Sequence, residues 1–303
     1  MKIVVLNQDD IKNVFSMEDA IQADKDALKL YSLGKSAVPL RVNLDVPEHE
    51  GHSLYMPATM VLLNSETGEV CSLMDGTYLT RVRTGAVSGA AADVLARKDS
   101  KVFAMFGTGG QAETQLEAIL TVRPIKIVKV FGISIERAER FAERMTAKFG
   151  EKFGVEIFAA KSSDEAIADA DIITSVTTSK KPVFDGRLVK KGCHINGVGS
   201  YTPEMHEIDE YTITHADKVY VDTRNGVLNE SGDLIIPIKN GTFSADRITG
   251  ELGEVIAGKA PARISDDEIT VFKTTGSAVL DIVNAQRIYE NALKKGMGSI
   301  IEF

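Results

Sequence analysis

Gly107 and Gly109 are the residues of this 303-residue chain whose spacing speaks most directly of chemistry. They sit in Lys101-Val-Phe-Ala-Met-Phe-Gly-Thr-Gly-Gly-Gln-Ala112, where an apolar run leads into a glycine turn and then into a helical pattern. A tight turn at Gly107 needs a residue without a Cβ, and at Gly109 the backbone can approach a pyrophosphate only if no side chain intervenes. The following helix turns its free N–H groups and positive dipole end toward the phosphates. Thr108, Gly110 and Gln111 complete the turn, and Ala112 stands where a dinucleotide fingerprint has its third glycine. An ordinary strand-to-helix turn reads the same way, so the motif depends on its surroundings.

The next strand, ending Val130-Phe-Gly-Ile-Ser134, is where such a site distinguishes its cofactors. An NAD-specific site usually places Asp or Glu there for the ribose hydroxyls. Gly132 instead leaves room for a 2′-phosphate, which Ser134 and Arg137 can receive, although Arg137 reads equally well as a solvated helix residue. The expectation is NADP(H), with NAD(H) as the alternative.

The elements that must position these residues follow from periodicity. From Lys101 onward, short β-branched runs alternate with amphipathic stretches, the pattern of a parallel sheet with crossover helices. Strands are expected at Val102–Phe106, Ile125–Phe131, Val155–Ala159, Asp171–Ser175, Cys193–Gly197, Lys218–Val221 and Thr270–Lys273, with helices at Gln111–Thr121, Ile135–Phe149 and Ser163–Asp169. The fold class is α/β, a Rossmann-type doubly wound sheet over 99–275. A smaller α+β substrate and dimerisation domain is expected from 1–98 and 276–303. There, Ser16 and Asp19 form a capping box for a helix through Leu30 that Gly34 ends, Val38–Val46 alternates as a strand, and Val61–Leu63 and Val70–Met74 flank a polar turn. The Ala- and Gly-rich stretch Arg83–Ala96 reads as a helix packed closely on another backbone, and Ala278–Lys295 as a long helix returning to the first domain.

Composition narrows the function classes. With 44% hydrophobic and 26% charged residues the chain reads as a soluble globular protein, and no run approaches the roughly 18 apolar residues of a membrane span. A net charge of −8 argues against a nucleic-acid surface. The five histidines form no metal-ligand spacing, so no metal is expected. Cys71 and Cys193 are far apart in apolar surroundings and read as free thiols in a reducing cytoplasm.

Taken together, the pieces resemble the ornithine cyclodeaminase and mu-crystallin family, which includes an archaeal type of alanine dehydrogenase and the cyclic ketimine reductases. The markers are Met56-Pro-Ala58, Glu66-Thr-Gly68, Met74-Asp-Gly76, Leu79-Thr-x-x-Arg83-Thr-Gly-Ala86, Gly107-x-Gly-x-Gln-Ala112, His194-Ile-Asn196, Glu230-Ser-Gly-Asp233, Gly253-Glu-Val-Ile256 and Val271-Phe-Lys273. The resemblance implies an NAD(P)-binding domain, a homodimer, and chemistry at carbon 2 of a small imino or amino acid. It assigns Arg41 and Arg83 to the substrate carboxylate, which a guanidinium fork grips through paired charge-assisted hydrogen bonds. A structural ion pair for Arg83 and a solvated surface position for Arg41 are the plain alternatives. Thr84, Thr178, Ser179, Val198 and Gly199 fall at cofactor positions.

Two departures from the family bear on mechanism. Between Ala58 and Val61 the family usually carries about 25 further residues with a lysine beside the reacting carbon, and they are absent here. Either the chain lacks this group or its polypeptide holds a segment beyond these 303 residues; a sheet that lost two strands would expose its edges, which favours the segment. At Tyr201 the cyclodeaminases and alanine dehydrogenases have an aspartate. Deaminating an amino acid needs a base near the nitrogen, whereas reducing a ready-made imine needs hydride, carboxylate binding and one proton. Tyr201, otherwise a loop aromatic lining the cleft, therefore points to reduction of cyclic ketimines such as Δ1-pyrroline-2-carboxylate. A cyclodeaminase or alanine dehydrogenase is the first alternative. A nucleotide-dependent binding protein without catalysis, which mu-crystallin exemplifies, is the second.

Overall fold

The computed structural model describes residues 2–38 and 58–302. The chain opens with β1 (Lys2–Leu6), α1 (Gln8–Val14) and α2 (Met17–Ser32), and resumes with the hairpin β2 (Thr59–Leu63) and β3 (Val70–Asp75). The capping box at the start of α2 is formed: Ser16 Oγ accepts the Asp19 N–H at 3.1 Å, and Asp19 Oδ2 accepts the Ser16 N–H at 3.1 Å. Both donors would otherwise lack a partner at the helix start. Of the strand expected at Val38–Val46, all but Val38 lies outside the described residues, and Val38 has no regular structure. Helix α3 (Gly76–Leu95) begins at Gly76 rather than at Arg83, because the Asp75 side chain caps it by accepting the Tyr78 N–H at 2.8 Å.

The remaining chain alternates: β4 (Val102–Phe106), α4 (Ala112–Val122), β5 (Ile127–Phe131), α5 (Ile135–Met145), α6 (Glu151–Phe153), β6 (Glu156–Ala159), α7 (Ser163–Ile167) and β7 (Ile172–Ser175). It continues with β8 (His194–Gly197), α8 (Glu210–His215), β9 (Lys218–Val221), α9 (Arg224–Glu230), α10 (Gly232–Lys239), β10 (Ile248–Glu251), α11 (Leu252–Ile256), β11 (Thr270–Lys273), α12 (Ala278–Lys295) and β12 (Ser299–Glu302). A π turn at Thr146–Gly150 separates α5 from α6, so the helix expected over Ile135–Phe149 is regular only to Met145. Strands β10 and β12 were not expected: Ile248-Thr-Gly-Glu251 has no apolar run, and Ser299-Ile-Ile-Glu302 has only two apolar residues together, with every residue of β12 exposed.

Two sheets result. Among the described residues, β12, β1, β3 and β2 form a mixed four-stranded sheet in that order, and the other eight strands form a parallel sheet in the order β10-β9-β11-β8-β7-β4-β5-β6. The order reverses between β4 and β7, and in doubly wound sheets ligands bind in the crevice outside the carboxyl ends of the strands at such a reversal. Helix α12 returns to pack on α1, α2 and α3. On β2, the last strand of this sheet among the described residues, Val61 and Leu63 are exposed beside a groove lined by Leu30, Leu62, Cys71 and Tyr289. No helix of the described residues is long and apolar enough to cross a membrane.

Helix α3 is buried on most sides, which its small residues permit. A Cβ on Gly85 would lie 2.4 Å from the Thr114 carbonyl oxygen, and one on Gly89 would lie 2.9 Å from Ile21 Cδ1 and 3.1 Å from Ala118 Cβ. The helix is thereby wedged between α2 and α4. Its C-terminus is closed by Arg123, whose guanidinium donates to the carbonyls of Ala92, Asp93 and Ala96 and to Asp93 Oδ1. Ala92 O also accepts the Ala96 N–H at 2.9 Å, and at a helix end, where the last carbonyls run out of intrahelical partners, a cation complements the dipole.

All residues of β7, β8 and β11 are buried, as in a sheet covered on both faces. His194 is among them: Nδ1 lies 2.8 Å from Thr270 Oγ1 and Nε2 lies 3.1 Å from Asn196 Oδ1. Burial, with the nearby Arg263 charge, pushes it from the usual 6.5 down to about 3. The fold thus holds a neutral imidazole while the unfolded chain protonates it. The resulting stability is complete above pH 6.5 and is lost as pH falls toward 3. Melting temperatures of the wild type and His194→Gln, measured from pH 7.5 down to about 4.5, are expected to converge as the pH falls; a constant gap would show that folding does not change the protonation of His194.

Candidate active site

The turn after β4 takes the form that phosphate binding requires. Gly107 has φ +107°, and a Cβ there would lie 2.6 Å from the Val176 carbonyl oxygen, so the turns after β4 and β7 touch. Its N–H donates to Phe131 O at 2.9 Å, which ties the turn to β5. Gly109 and Gly110 face open space, with nothing within 4 Å of a Cβ on either. Helix α4 starts at Ala112, whose N–H donates to Gly109 O at 3.1 Å, and no side chain caps it at Gln111, so a ligand can approach its first turn without displacing a capping side chain. Arg81, which the sequence reading overlooked, donates from Nε to Gly110 O at 3.0 Å and brings a positive charge to this turn. These residues fit the pyrophosphate of a nicotinamide dinucleotide.

The expected cofactor residues gather at the carboxyl edge of the sheet. Gly132 sits against Thr108, its Cβ position 3.8 Å from Thr108 Cγ2, with no bulk to fill the space beside it. Ser134 is differently employed than expected: its hydroxyl caps α5 by accepting the Arg137 N–H at 3.3 Å and donates to Glu136 Oε2 at 2.6 Å. That leaves exposed Arg137 as the cation at the tip of β5. Thr84 lies on α3, its carbonyl accepting Gln115 Nε2 from α4 at 2.7 Å. Thr178 and Ser179 follow β7, where the Ser179 N–H donates to Thr177 Oγ1 at 3.1 Å. Val198 and Gly199 follow β8; the Val198 N–H donates to Ser175 O at 2.9 Å, and a Cβ on Gly199 would lie 2.0 Å from Thr177 O. Half-exposed Tyr201 follows in the same loop.

Arg83 reaches this edge from α3. Its Nε donates to Asp281 Oδ1 of α12 at 2.8 Å, with the guanidinium largely buried. Its Nη1 lies 2.8 Å from where a Cβ of Gly276 would be, in the turn after β11. That turn is held by Asp222, whose Oδ2 accepts Thr274 Oγ1 at 2.6 Å, the Thr275 N–H at 3.1 Å and the Gly276 N–H at 2.9 Å. Burial pushes Asp222 above the ordinary carboxylate range. The ion-pair and carboxylate-binding readings of Arg83 are therefore compatible: Asp281 engages one side of the fork. Arg41 lies outside the described residues.

The sequence reading missed Asp281 and Asp222, and it left Asp233 and Lys273 as unassigned motif members. Lys273 carried the available signal, since a lysine ending a four-residue apolar strand must find an acid if it is buried. It does: Nζ lies 3.2 Å from Asp233 Oδ2, both side chains fully buried.

A doubly wound sheet with a glycine turn open to phosphates, and an arginine held at its carboxyl edge by a second unit, defines a dinucleotide-dependent α/β class. Within that class the chain belongs to the ornithine cyclodeaminase/mu-crystallin family, whose model matches residues 57–296. It is 36% identical to the Δ1-pyrroline-2-carboxylate reductase of Bacillus cereus, over 99% of this chain and 100% of that one. That alignment runs over 330 positions against 303 residues here, so at least 27 positions of the relative have no counterpart. The fold matches that of Thermococcus litoralis Δ1-pyrroline-2-carboxylate reductase in complex with NADH and L-proline, with a TM-score of 0.90, 36% identity and coverage of 98% and 99% of the two chains. It also matches an archaeal alanine dehydrogenase dimer with bound NAD, with a TM-score of 0.89, 34% identity and full coverage of both.

The contact of Gly85 with Thr114 sets how far Arg83 stands from the phosphate turn. Gly85→Ala must part α3 from α4, at an expected cost of about 1–3 kcal/mol of stability. Thermal melts together with steady-state kinetics check this. A variant with a lowered Tm and raised KM values is expected, and unchanged melting would contradict the packing.

Proposed function

We propose that this chain is an NAD(P)H-dependent reductase of small cyclic ketimines, converting Δ1-pyrroline-2-carboxylate to L-proline and Δ1-piperideine-2-carboxylate to L-pipecolate. The observation that carries the reading is Arg83, held by Asp281 with Nη1 turned toward the Gly276 turn at the carboxyl edge of the sheet. A guanidinium fixed in this way can grip a substrate carboxylate and so orient the neighbouring carbon. Arg41 is the second arginine of the proposal. When bound, the nicotinamide supplies the hydride. The imine nitrogen takes its proton from water or from the lysine of the expected segment, which completes the reduction of C=N to CH–NH. Tyr201, in place of an aspartate, favours reduction over deamination, because the loop after β8 then presents no carboxylate there to serve an amino group. The likeness to the two Δ1-pyrroline-2-carboxylate reductases supports this choice. The likeness to an alanine dehydrogenase keeps oxidation of L-alanine as the second reading.

NADP(H) is proposed as the preferred cofactor, with NAD(H) accepted, because Gly132 leaves space and Arg137 supplies charge at the tip of β5. A homodimer is proposed as well; exposed Val61 and Leu63 on β2 give an apolar edge for a second copy to cover.

Oxidation of NADPH by Δ1-pyrroline-2-carboxylate, followed spectrophotometrically, tests the main proposal. Turnover is expected with the ketimine; NAD(P)+ reduction by L-alanine alone would replace the reading with the dehydrogenase. Removing one charged hydrogen-bond partner from the substrate carboxylate costs about 2–5 kcal/mol, so Arg83→Met is expected to lower kcat/KM roughly 30-fold or more. Asp281→Asn, which loosens but does not remove the guanidinium, is expected to lower it by about tenfold. For the cofactor, Arg137→Ala is expected to reduce kcat/KM for NADPH about tenfold while changing that for NADH by about twofold or less; equal effects on both would exclude a 2′-phosphate contact.

A further inference from the structure

Three fully buried charged side chains lie against the loops that follow β7 and β8, and the chemistry above does not use them. Lys273 Nζ lies 3.2 Å from Asp233 Oδ2. Asp233 Oδ1 accepts the N–H groups of Glu207 and Ile208 at 2.7 and 3.1 Å. Glu207 then divides its carboxylate: Oε1 accepts the Thr177 N–H at 2.6 Å from the loop after β7, and Oε2 accepts the Ser200 N–H at 2.9 Å from the loop after β8. One side chain thus sets the distance between two loops. They run too close for any side chain at Gly199, where a Cβ would lie 2.0 Å from Thr177 O.

Burying such charges costs more in desolvation than their attraction commonly returns, and apolar replacements are often as stable. Fixed geometry is what the arrangement adds. In a doubly wound sheet the dinucleotide spans the reversal point, its adenine half over the β4–β5 side and its nicotinamide half over the β7–β8 side. We propose that Glu207, anchored by Asp233 and Lys273, is a positioning residue for the nicotinamide half of the cofactor, acting by fixing the spacing of the Thr177–Ser179 and Val198–Tyr201 loops. This rests on the cofactor reading given above. Burial pushes Glu207 up to about 7, Lys273 pulling it down and Asp233 pushing it further up.

Glu207→Gln turns an amide NH2 toward one of the two backbone donors, and Glu207→Asp keeps the charge but shortens its reach. Affinities for NADH and for ADP-ribose, which lacks the nicotinamide, separate positioning from folding. Both variants are expected to bind NADH about tenfold more weakly while ADP-ribose affinity stays within about twofold. Unchanged NADH binding, or equal loss of both ligands with a lowered Tm, would overturn the inference. A wild-type chain that binds neither ligand would overturn the cofactor reading and the inference with it.

Discussion

The close contact of α3 with α4 is the constraint on which the rest depends. Gly85 lets the two backbones meet at Thr114, Gln115 Nε2 donates to Thr84 O, and Arg81 Nε donates to Gly110 O. These contacts join the helix that carries Arg83 to the helix and turn proposed to receive the cofactor phosphates. Any larger residue at Gly85 would displace one against the other, and a misplacement of an ångström is enough to spoil a reacting geometry. Arg123 fixes the far end of α3, so the helix is held at both its phosphate end and its tail.

The carboxyl edge of the parallel sheet is assembled from acids that the sequence gives little reason to notice. Asp222 gathers the three donors of the turn after β11, and Glu207 joins the loops after β7 and β8. Asp281 orients Arg83. In each case a carboxylate accepts from backbone, hydroxyl or arginine donors, which is how loops at the end of a sheet acquire fixed positions.

Local signals were legible. The capping box at Ser16, the apolar runs of β4, β9 and β11, the turn at Gly107 and the full extent of α12 follow from propensity and period, and the structure has them where expected. Signals that depend on distant chain were not. Asp281 meets Arg83 and Asp233 meets Lys273 only after the fold brings them together, and neither pair has a spacing to read. Ser134 shows the converse: its position suggested a phosphate ligand, whereas capping α5 engages its hydroxyl. β10 and β12 lack the apolar run that marks β9, and their hydrogen bonds come from neighbouring strands.

The central claim is that Arg83, placed by α3, grips the carboxylate of a cyclic imino acid beside the nicotinamide. A crystal structure of the chain with NAD(P)H and L-proline tests it most directly. The account predicts the proline carboxylate within hydrogen-bonding distance of the Arg83 Nη atoms, with its carbon 2 facing the nicotinamide ring. A proline carboxylate bound elsewhere, with Arg83 making contacts only to Asp281 and the Gly276 turn, would contradict it.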